Sequence, residues 1–545
     1  MADATFDAIV IGGGSKTLIA AMYLAKYGGM SVGIFEKNHE AGGGWMTEEM
    51  TAPGFLNDCH ATATDPSYHI PVERDFPEWA ELGGKYNEFG VSIVSIFRED
   101  DSYLKLYSRL VDPNQERTAA SIAKHSKRDA ETWLTRIPAL QGRLAPAFFE
   151  WVHNPATPQG TPDALEKLFA DPSSGFDPSW AWKTPLEVAR DIFESDVLIS
   201  TIMRQAMSIG LLPDTHGYGF LSILPAAPAG APIPGKFTVT GGTHQFAHAA
   251  VKILQAHGAK IFTRREVVKV IIENGKATGI RLSDGTEVRA KKLVLSGLDP
   301  ETLCFKLIGK EHLNWQILRR VEKLERKMHC LCWYGWALHE PPNYKVAADD
   351  PDLNKGSLTL HMVGKDPICM IKAQARLRAG MMPEDLQFTS MNYCLSDKTR
   401  APDGKYEVNT EVDVIPADAL TEREWIQFKK DHAKAVIEEW QKFAPNMTWD
   451  NVIGYGANTP YDTARRLPNM APGGNHNVID IIPSQFGRNR PIPELARHQT
   501  PIKNLYATGS AWHPYANASC WQGYNCYKVI AEDYGLAKPW EGKPF

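Results

Sequence analysis

Glycines with a nucleotide-binding spacing stand near the start of the chain. Gly12 and Gly14 follow the apolar run Ala8-Ile9-Val10-Ile11 and precede a segment with helical periodicity. In a strand–turn–helix unit, Gly12 permits the tight turn, and Gly14 lets the backbone approach a pyrophosphate at the helix N-terminus. Glu36 ends the next strand, where an acid can bind a ribose hydroxyl pair. Thr17 replaces the usual third glycine or alanine, which predicts a slightly wider helix–strand approach.

A second run of glycines, Gly42-Gly43-Gly44, begins six residues after Glu36. Glycines there would let a loop pass close to a phosphate or a sugar. Their spacing from Glu36 favours FAD over NAD as the dinucleotide. The alternative for Gly42-Gly43-Gly44 is a flexible turn. The alternative for the segment with Gly12 and Gly14 is an ordinary βαβ unit in which Glu36 is a surface acid.

The elements around these glycines predict an α/β protein. Helical periodicity covers residues 115–149 and 185–211. Asn274-Gly275 and Asp284-Gly285 separate alternating strands between residues 267 and 290, which predicts a three-stranded meander. Leu293 to Leu295 returns as a buried strand, and a strand at residues 505–507 precedes a final helix.

Composition excludes several classes of protein. The chain has 545 residues, 43% of them hydrophobic, and a net charge of −5, so we expect at least two domains and no nucleic-acid binding. Its eight cysteines show neither a disulfide framework nor zinc spacing, so no metal site is predicted. We expect a reduced, cytoplasmic protein. The proline-broken apolar stretch from Phe220 to Pro234 is interpreted as a buried lining or a peripheral membrane contact.

Several segments together resemble one family. They are GGGWMTEEMTAPGF from Gly42, VTGGTHQFAHAA from Val239, LVLSGLDP from Leu293, PYDTARRLPNMAPGGN from Pro460, and TPIKNLYATGSAWHP from Thr500 followed by GYN at Gly523. In this order they are similar to the phytoene desaturase-like (phytoene dehydrogenase-related) flavoproteins of the flavin amine oxidase superfamily. The resemblance extends along the whole chain.

The resemblance implies a discontinuous, GR2-like Rossmann-type FAD-binding domain with an inserted α+β substrate domain. Residues 1–100, 237–300 and 491–545 would form the FAD-binding domain, 101–236 a helical or substrate lobe, and 301–490 the substrate domain. The backbone of Val267 would meet the adenine. The other residues that the resemblance assigns to FAD are Gly12, Gly14, Ser15, Glu36, Lys37, Gly43, Gly44, Gly509, Ser510, Gly523, Tyr524 and Asn525.

The chain departs from the family where the flavin ring is expected. His513-Pro514-Tyr515-Ala516-Asn517 replaces the common His-Pro-Gly-Gly-Gly, and Cys520-Trp521-Gln522 replaces smaller residues. These departures predict a substrate shorter than a C40 polyene, bound by Trp512, Asn517 and Trp521, with shape rather than charge setting specificity. His513, His60 and Tyr515 are the predicted catalytic groups. The alternatives are structural histidines and core tryptophans. Cys520 and Cys526 are interpreted as packed thiols rather than covalent flavin anchors.

These features predict an FAD-dependent desaturase or dehydrogenase that moves a hydride from a C–H bond of an apolar terpenoid, carotenoid-like or alicyclic substrate to flavin N5. Only one glycine fingerprint is visible, whereas a pyridine-nucleotide reductase normally carries two. We therefore expect electrons to leave to oxygen, a quinone or a redox protein. The alternatives are flavin-dependent isomerisation without net redox, a partner-dependent subunit within a homo- or hetero-oligomer, and, ranked lower, amine oxidation.

Overall fold

The computed structural model describes residues 4–62, 64–223, 237–355 and 357–543. Residues 224–234 of the predicted membrane-contact segment lie outside these ranges. No helix within them is long and apolar enough to cross a membrane.

The first of two seven-stranded sheets carries the N-terminal glycines. Its strands, labelled in chain order, are β1 (Ala4–Ile11), β2 (Val32–Phe35), β9 (Lys260–Phe262), β10 (Val267–Glu273), β11 (Lys276–Leu282), β12 (Glu287–Ser296) and β18 (Leu505–Ala507). The strand order is β10-β11-β12-β1-β2-β9, and β18 pairs with β12. β1, β2, β9, β18 and the end of β12 run parallel, whereas β10–β12 form the predicted antiparallel meander.

The second sheet is built from two distant parts of the chain. Its strands are β6 (Val91–Phe97), β7 (Tyr103–Tyr107), β13 (Cys330–Leu338), β14 (Ser357–Val363), β15 (Phe388–Met391), β16 (Tyr406–Val414) and β17 (Val452–Asn458), in the order β17-β13-β16-β15-β14-β6-β7. The predicted domain boundary at residue 100 therefore falls within the β6–β7 hairpin. Two short ribbons pair β3 (Thr47–Glu48) with β4 (Asn57–Asp58) and β5 (Tyr86–Glu88) with β8 (Phe237–Val239).

Helices cover both sheets. In chain order they are α1 (Ser15–Lys26), α2 (Ile70–Asp75), α3 (Glu116–Ala123), α4 (Lys127–Val152), α5 (Ala164–Ala170), α6 (Pro185–Ile192), α7 (Asp196–Met207), α8 (His244–Ala256), α9 (Trp315–Glu322), α10 (Asp352–Lys355), α11 (Ile368–Arg378), α12 (Glu422–Phe443), α13 (Pro460–Arg466) and α14 (Trp521–Tyr534). α1 packs against α8 and α14 beside the first sheet, and α12 covers one face of the second.

One face of the second sheet packs into an apolar core, and the other face lines part of a cavity. Side chains alternate along a strand, so residues two apart share a face. Cys332, Leu360 and Val412 point into the core beneath α12. Their neighbours Trp333, His361 and Glu411 point to the other side, where they line a cavity between the two sheets.

Candidate active site

The two glycine segments meet at the carboxyl end of β1. Gly12 has a φ of +85°, which favours glycine, and its amide donates to the carbonyl of Phe35 at 2.8 Å. The amide of Gly42 donates to the carbonyl of Gly13 at 2.7 Å, so the second loop lies on the first turn. A Cβ on Gly43 would lie 3.1 Å from the Cα of Gly14.

Space remains at this junction that the protein does not fill. A Cβ on Gly14 would meet only Thr17 Oγ1, at 4.0 Å, and one on Gly44 would meet nothing within 4 Å. Among the described residues no side chain caps the N-terminus of α1, so its first amides are available to an anion. Thr17 fits because Gly297 opposite has no side chain: a Cβ there would lie 2.5 Å from Thr17 Cγ2.

Glu36 occupies the expected position at the end of β2. Its carboxylate accepts hydrogen bonds from the amides of Gly13 at 2.7 Å and Asn38 at 2.8 Å. Lys37 pairs with Glu266 at 3.5 Å, next to Val267 at the start of β10. The segment that carries Val267 thus lies beside the Glu36 loop, the position expected for an adenosine site.

The residues assigned to FAD near the C-terminus divide into two groups. Gly509 follows β18 with a φ of +137°, and Ser510 forms part of the cavity wall. Gly523 instead permits close helix packing, since a Cβ there would lie 2.2 Å from the carbonyl oxygen of Lys16 in α1. Asn525 donates to the carbonyl of Val152, and the Tyr524 hydroxyl accepts from Arg74. None of these last three is in the cavity wall.

The cavity has a volume of about 310 Å³ and runs from the glycine junction to the second sheet. Ser15, Lys16, Gly44 and Ser510 line one end, and side chains of β13–β16 line the other. Of the predicted catalytic and substrate residues, its wall contains His60, Tyr515 and Asn517.

His513, Trp512 and Trp521 lie behind this wall. His513 is fully buried, and its Nε2 is 3.1 Å from the carbonyl oxygen of Asn154. Trp521 packs edge-on against Tyr515 at 5.8 Å between ring centroids. This geometry gives no support to direct contact between His513 and a substrate, and it makes Trp521 a support for Tyr515.

Lys16 is a cavity residue that sequence reasoning overlooked. Its ammonium group donates to the carbonyl oxygens of Asn517 and Ser519, both at 2.7 Å, and burial lowers its pKa to about 7. Its place in the first turn of α1 was readable from the sequence, but its burial depends on the loop before α14.

A polar group on the second sheet was also missed. Glu411, His361 and His476 line the cavity with His60, so the wall contains polar groups that the predicted substrate site did not include. Burial, with a smaller effect of Arg466, lowers the pKa of His60 to about 3, so this histidine is neutral at physiological pH. The alternation in β16 marks Glu411 as one of a row of polar residues, but it does not show that their face is buried.

Comparisons with known proteins agree with this architecture. Residues 10–78 match the NAD(P)-binding Rossmann-like domain family. The chain is 25% identical to rat pyridine nucleotide-disulfide oxidoreductase domain-containing protein 2, over 97% of this chain and 94% of the relative. It is 24% identical to one of the subunits of limonene dehydrogenase from Castellaniella defragrans, over 98% and 96%. A phytoene desaturase of Rhodobacter capsulatus matches at 27% identity, over 31% of this chain and 30% of the relative.

Solved structures confirm the fold. A variant of putrescine oxidase superposes with a TM-score of 0.60 at 12% identity, covering 97% of this chain and 98% of that one. The predicted fold class and the resemblance to phytoene desaturase-like proteins are confirmed. The chain is an oxidoreductase of the FAD-dependent type. The open glycine junction, the uncapped start of α1 and Glu36 fit this cofactor. The individual site residues and domain boundaries stay predictions.

Proposed function

We propose that the protein is a desaturase or dehydrogenase for a compact, mainly apolar substrate of terpenoid, carotenoid-like or alicyclic type, with hydride transfer to flavin N5 when FAD is bound. The observation that carries this proposal is the continuous cavity that joins the glycine junction to the second sheet. A substrate in this cavity would lie against the residues that hold the cofactor.

Part of the cavity wall is suited to an apolar molecule. It is formed by aliphatic and aromatic side chains, namely Tyr68, Ile93, Phe148, Phe149, Ile209 and Leu221. Burying a hydrocarbon against such a wall yields about 25 cal/mol per Å² removed from water. Such a wall would also keep water away from the reacting bond.

The size of the cavity favours a short substrate. Its volume of about 310 Å³ is at the lower end of the range for ligand pockets, and the cofactor must share it. Tyr515 narrows the site, with its ring stacked on Phe486 at 5.6 Å and on Trp151 at 6.1 Å. The relative named for limonene, a ten-carbon ring compound, supports this size class.

That relative also supports a second arrangement, because its name describes one subunit of an enzyme. A partner chain that accepts electrons, or that completes a hetero-oligomer, would agree with the single nucleotide fingerprint. A cytoplasmic location with peripheral membrane contact remains part of the proposal.

The test is anaerobic mixing of FAD-loaded protein with limonene-type rings and with phytoene. Loss of oxidised-flavin absorbance with a small ring, together with a desaturated product by mass spectrometry, is the expected result. Product without bleaching would instead mean isomerisation. No response to any substrate would favour the alternative of a partner-dependent subunit.

A matched pair of variants tests the role of Tyr515. Tyr515→Ala should extend the substrate range to longer chains, because it removes a wall residue. Trp182→Ala, at a site 76% exposed, should leave the range unchanged. Identical substrate profiles for both variants and the wild type would show that Tyr515 does not limit the site.

A further inference from the structure

Beside the second sheet, the cavity wall contains a buried polar cluster whose hydrogen-bonding capacity the described residues do not use up. It consists of His60, Thr62, Trp333, Glu411 and His476, all of which line the cavity; we call it the polar wall. Trp333 and Glu411 are direct partners in the antiparallel pairing of β13 and β16, so their side chains emerge side by side.

Glu411 is held in place through one of its two carboxyl oxygens. Oε1 accepts hydrogen bonds from Thr62 Oγ1 at 2.6 Å and from Trp333 Nε1 at 3.2 Å. Oε2 has no hydrogen bond or ion pair within the part of the chain that the structure describes. The nearby Arg204 donates from Nη1 to Asp413 at 2.5 Å and from Nη2 to the backbone carbonyl oxygen of Glu411 at 3.5 Å, and neither of these bonds involves Oε2.

The two histidines of the polar wall also have unused ring nitrogens. His60 is 7% exposed; its Nε2 lies 3.3 Å from the amide nitrogen of Asn458, and its Nδ1 is unpartnered among the described residues. Both ring nitrogens of His476 are likewise unpartnered there, with the ring 6.0 Å from that of Trp333. Burial lowers the pKa of both histidines, so neither is cationic at neutral pH.

These groups define what can bind beside them. A hydrocarbon would remove Glu411 Oε2 from water without replacing its hydrogen bonds, at about 1–3 kcal/mol. A carboxylate has no hydrogen to donate to Glu411 Oε2. A hydroxyl or ammonium group can donate to Glu411.

We propose that the polar wall binds a hydrogen-bond-donating head group, a hydroxyl or an ammonium, on an otherwise apolar substrate. The inference rests on the proposed function, because it specifies the substrate of the same cavity. Glu411 is the specificity-determining acceptor, and His60 and His476 are the neutral groups beside it. Thr62 and Trp333 are positioning residues, which fix the Glu411 carboxyl group from its other oxygen.

The test compares three compounds with one carbon skeleton: limonene, perillyl alcohol and perillyl amine. Their dissociation constants for the FAD-loaded protein are measured anaerobically from the change in flavin absorbance, or by calorimetry. We expect the alcohol or the amine to bind about 10- to 100-fold more tightly than the hydrocarbon, as a hydrogen bond to a charged group predicts. Equal affinity of all three for the wild type would overturn the proposal.

Variants of two glutamates on one strand make the test specific. Glu411→Leu should bind perillyl alcohol and perillyl amine no more tightly than limonene, with no loss of affinity for limonene itself. The isosteric Glu411→Gln should lower the affinity for the amine more than that for the alcohol. Glu407→Gln is the matched control, since Glu407 is buried on the same face of β16 but lies outside the cavity wall. Its head-group preference should equal that of the wild type. Equal losses for all three ligands in both Glu411 variants would contradict the inference.

Failure of the inference and failure of the proposed function give different results. In one outcome, perillyl alcohol or perillyl amine binds more tightly than limonene, but none of these three compounds and not phytoene either reduces the flavin. That outcome supports the polar wall and contradicts the proposed oxidation. If limonene reduces the flavin and binds as tightly as the alcohol and the amine, the oxidation is supported and the polar wall is contradicted.

Discussion

Replacing Gly523 with alanine should separate α14 from α1. The added Cβ would lie 2.2 Å from the carbonyl oxygen of Lys16 and 3.1 Å from the amide nitrogen of Ala20. Because C···O contacts normally begin at about 3.3 Å, one helix must move by roughly 1 Å. Overpacking of this kind typically costs about 1–3 kcal/mol. We expect the upper end of that range, since both contacted atoms belong to the backbone.

The same displacement should weaken FAD binding, because α1 begins at Ser15, directly after the glycine turn. The assay is thermal unfolding of the apo-protein, together with the dissociation constant for FAD. Gly142→Ala is the control: this glycine is exposed in α4, and its Cβ would meet nothing within 4 Å. That variant should gain up to about 1 kcal/mol. If Gly523→Ala is as stable as Gly142→Ala and retains wild-type FAD affinity, the packing argument is refuted.

Two further predictions concern buried cations. Arg400 is fully buried and pairs with Asp58 at 2.9 Å and with Asp397 at 3.2 Å. Arg400→Met would leave both carboxylates buried without this partner, so it should lower the free energy of unfolding in urea by about 3–5 kcal/mol. A loss below about 1 kcal/mol would contradict this expectation. Burial lowers the pKa of Lys16 from 10.5 in the unfolded chain to about 7 in the folded protein. Between these two pH values the unfolded chain binds one more proton than the folded protein, so the free energy of unfolding of the apo-protein should rise with pH. Lys16→Met has no such titrating group, so its stability relative to the wild type should decline from pH 7 to 10.5. A difference that stays constant over this range would contradict the lowered pKa of Lys16.

The local parts of the fold could be predicted from short sequence patterns. The β1–α1–β2 unit follows from its apolar runs and glycines, and the meander follows from Asn274-Gly275 and Asp284-Gly285. FAD as the cofactor followed from the glycine spacing and the resemblance, and it is confirmed.

The polar wall could not be predicted in this way. Glu407, Asn409, Glu411 and Asp413 alternate with mainly apolar residues in β16, a pattern that normally indicates one solvent-exposed face. Here both faces are buried, because the first half of the chain covers the polar one. Which face is covered depends on contacts between distant segments, such as Asn57 with Glu407 at 2.7 Å.

His513 illustrates a related limit of sequence reasoning. The resemblance predicts that its segment lies near the flavin ring, and the neighbouring Tyr515 and Asn517 do line the cavity. The side chain of His513 turns the other way, towards the carbonyl oxygens of Trp151 and Asn154 at the end of α4. The direction of a side chain in an irregular loop is set by such partners, which spacing alone does not reveal.

The most direct test of the central claim is the FAD content of the purified protein. We expect one FAD per chain in the wild type, measured from the absorbance of flavin released on denaturation. Gly14→Val should abolish this content, because its side chain would occupy the open space at the glycine junction. A colourless wild-type protein that takes up no FAD on reconstitution would contradict the account.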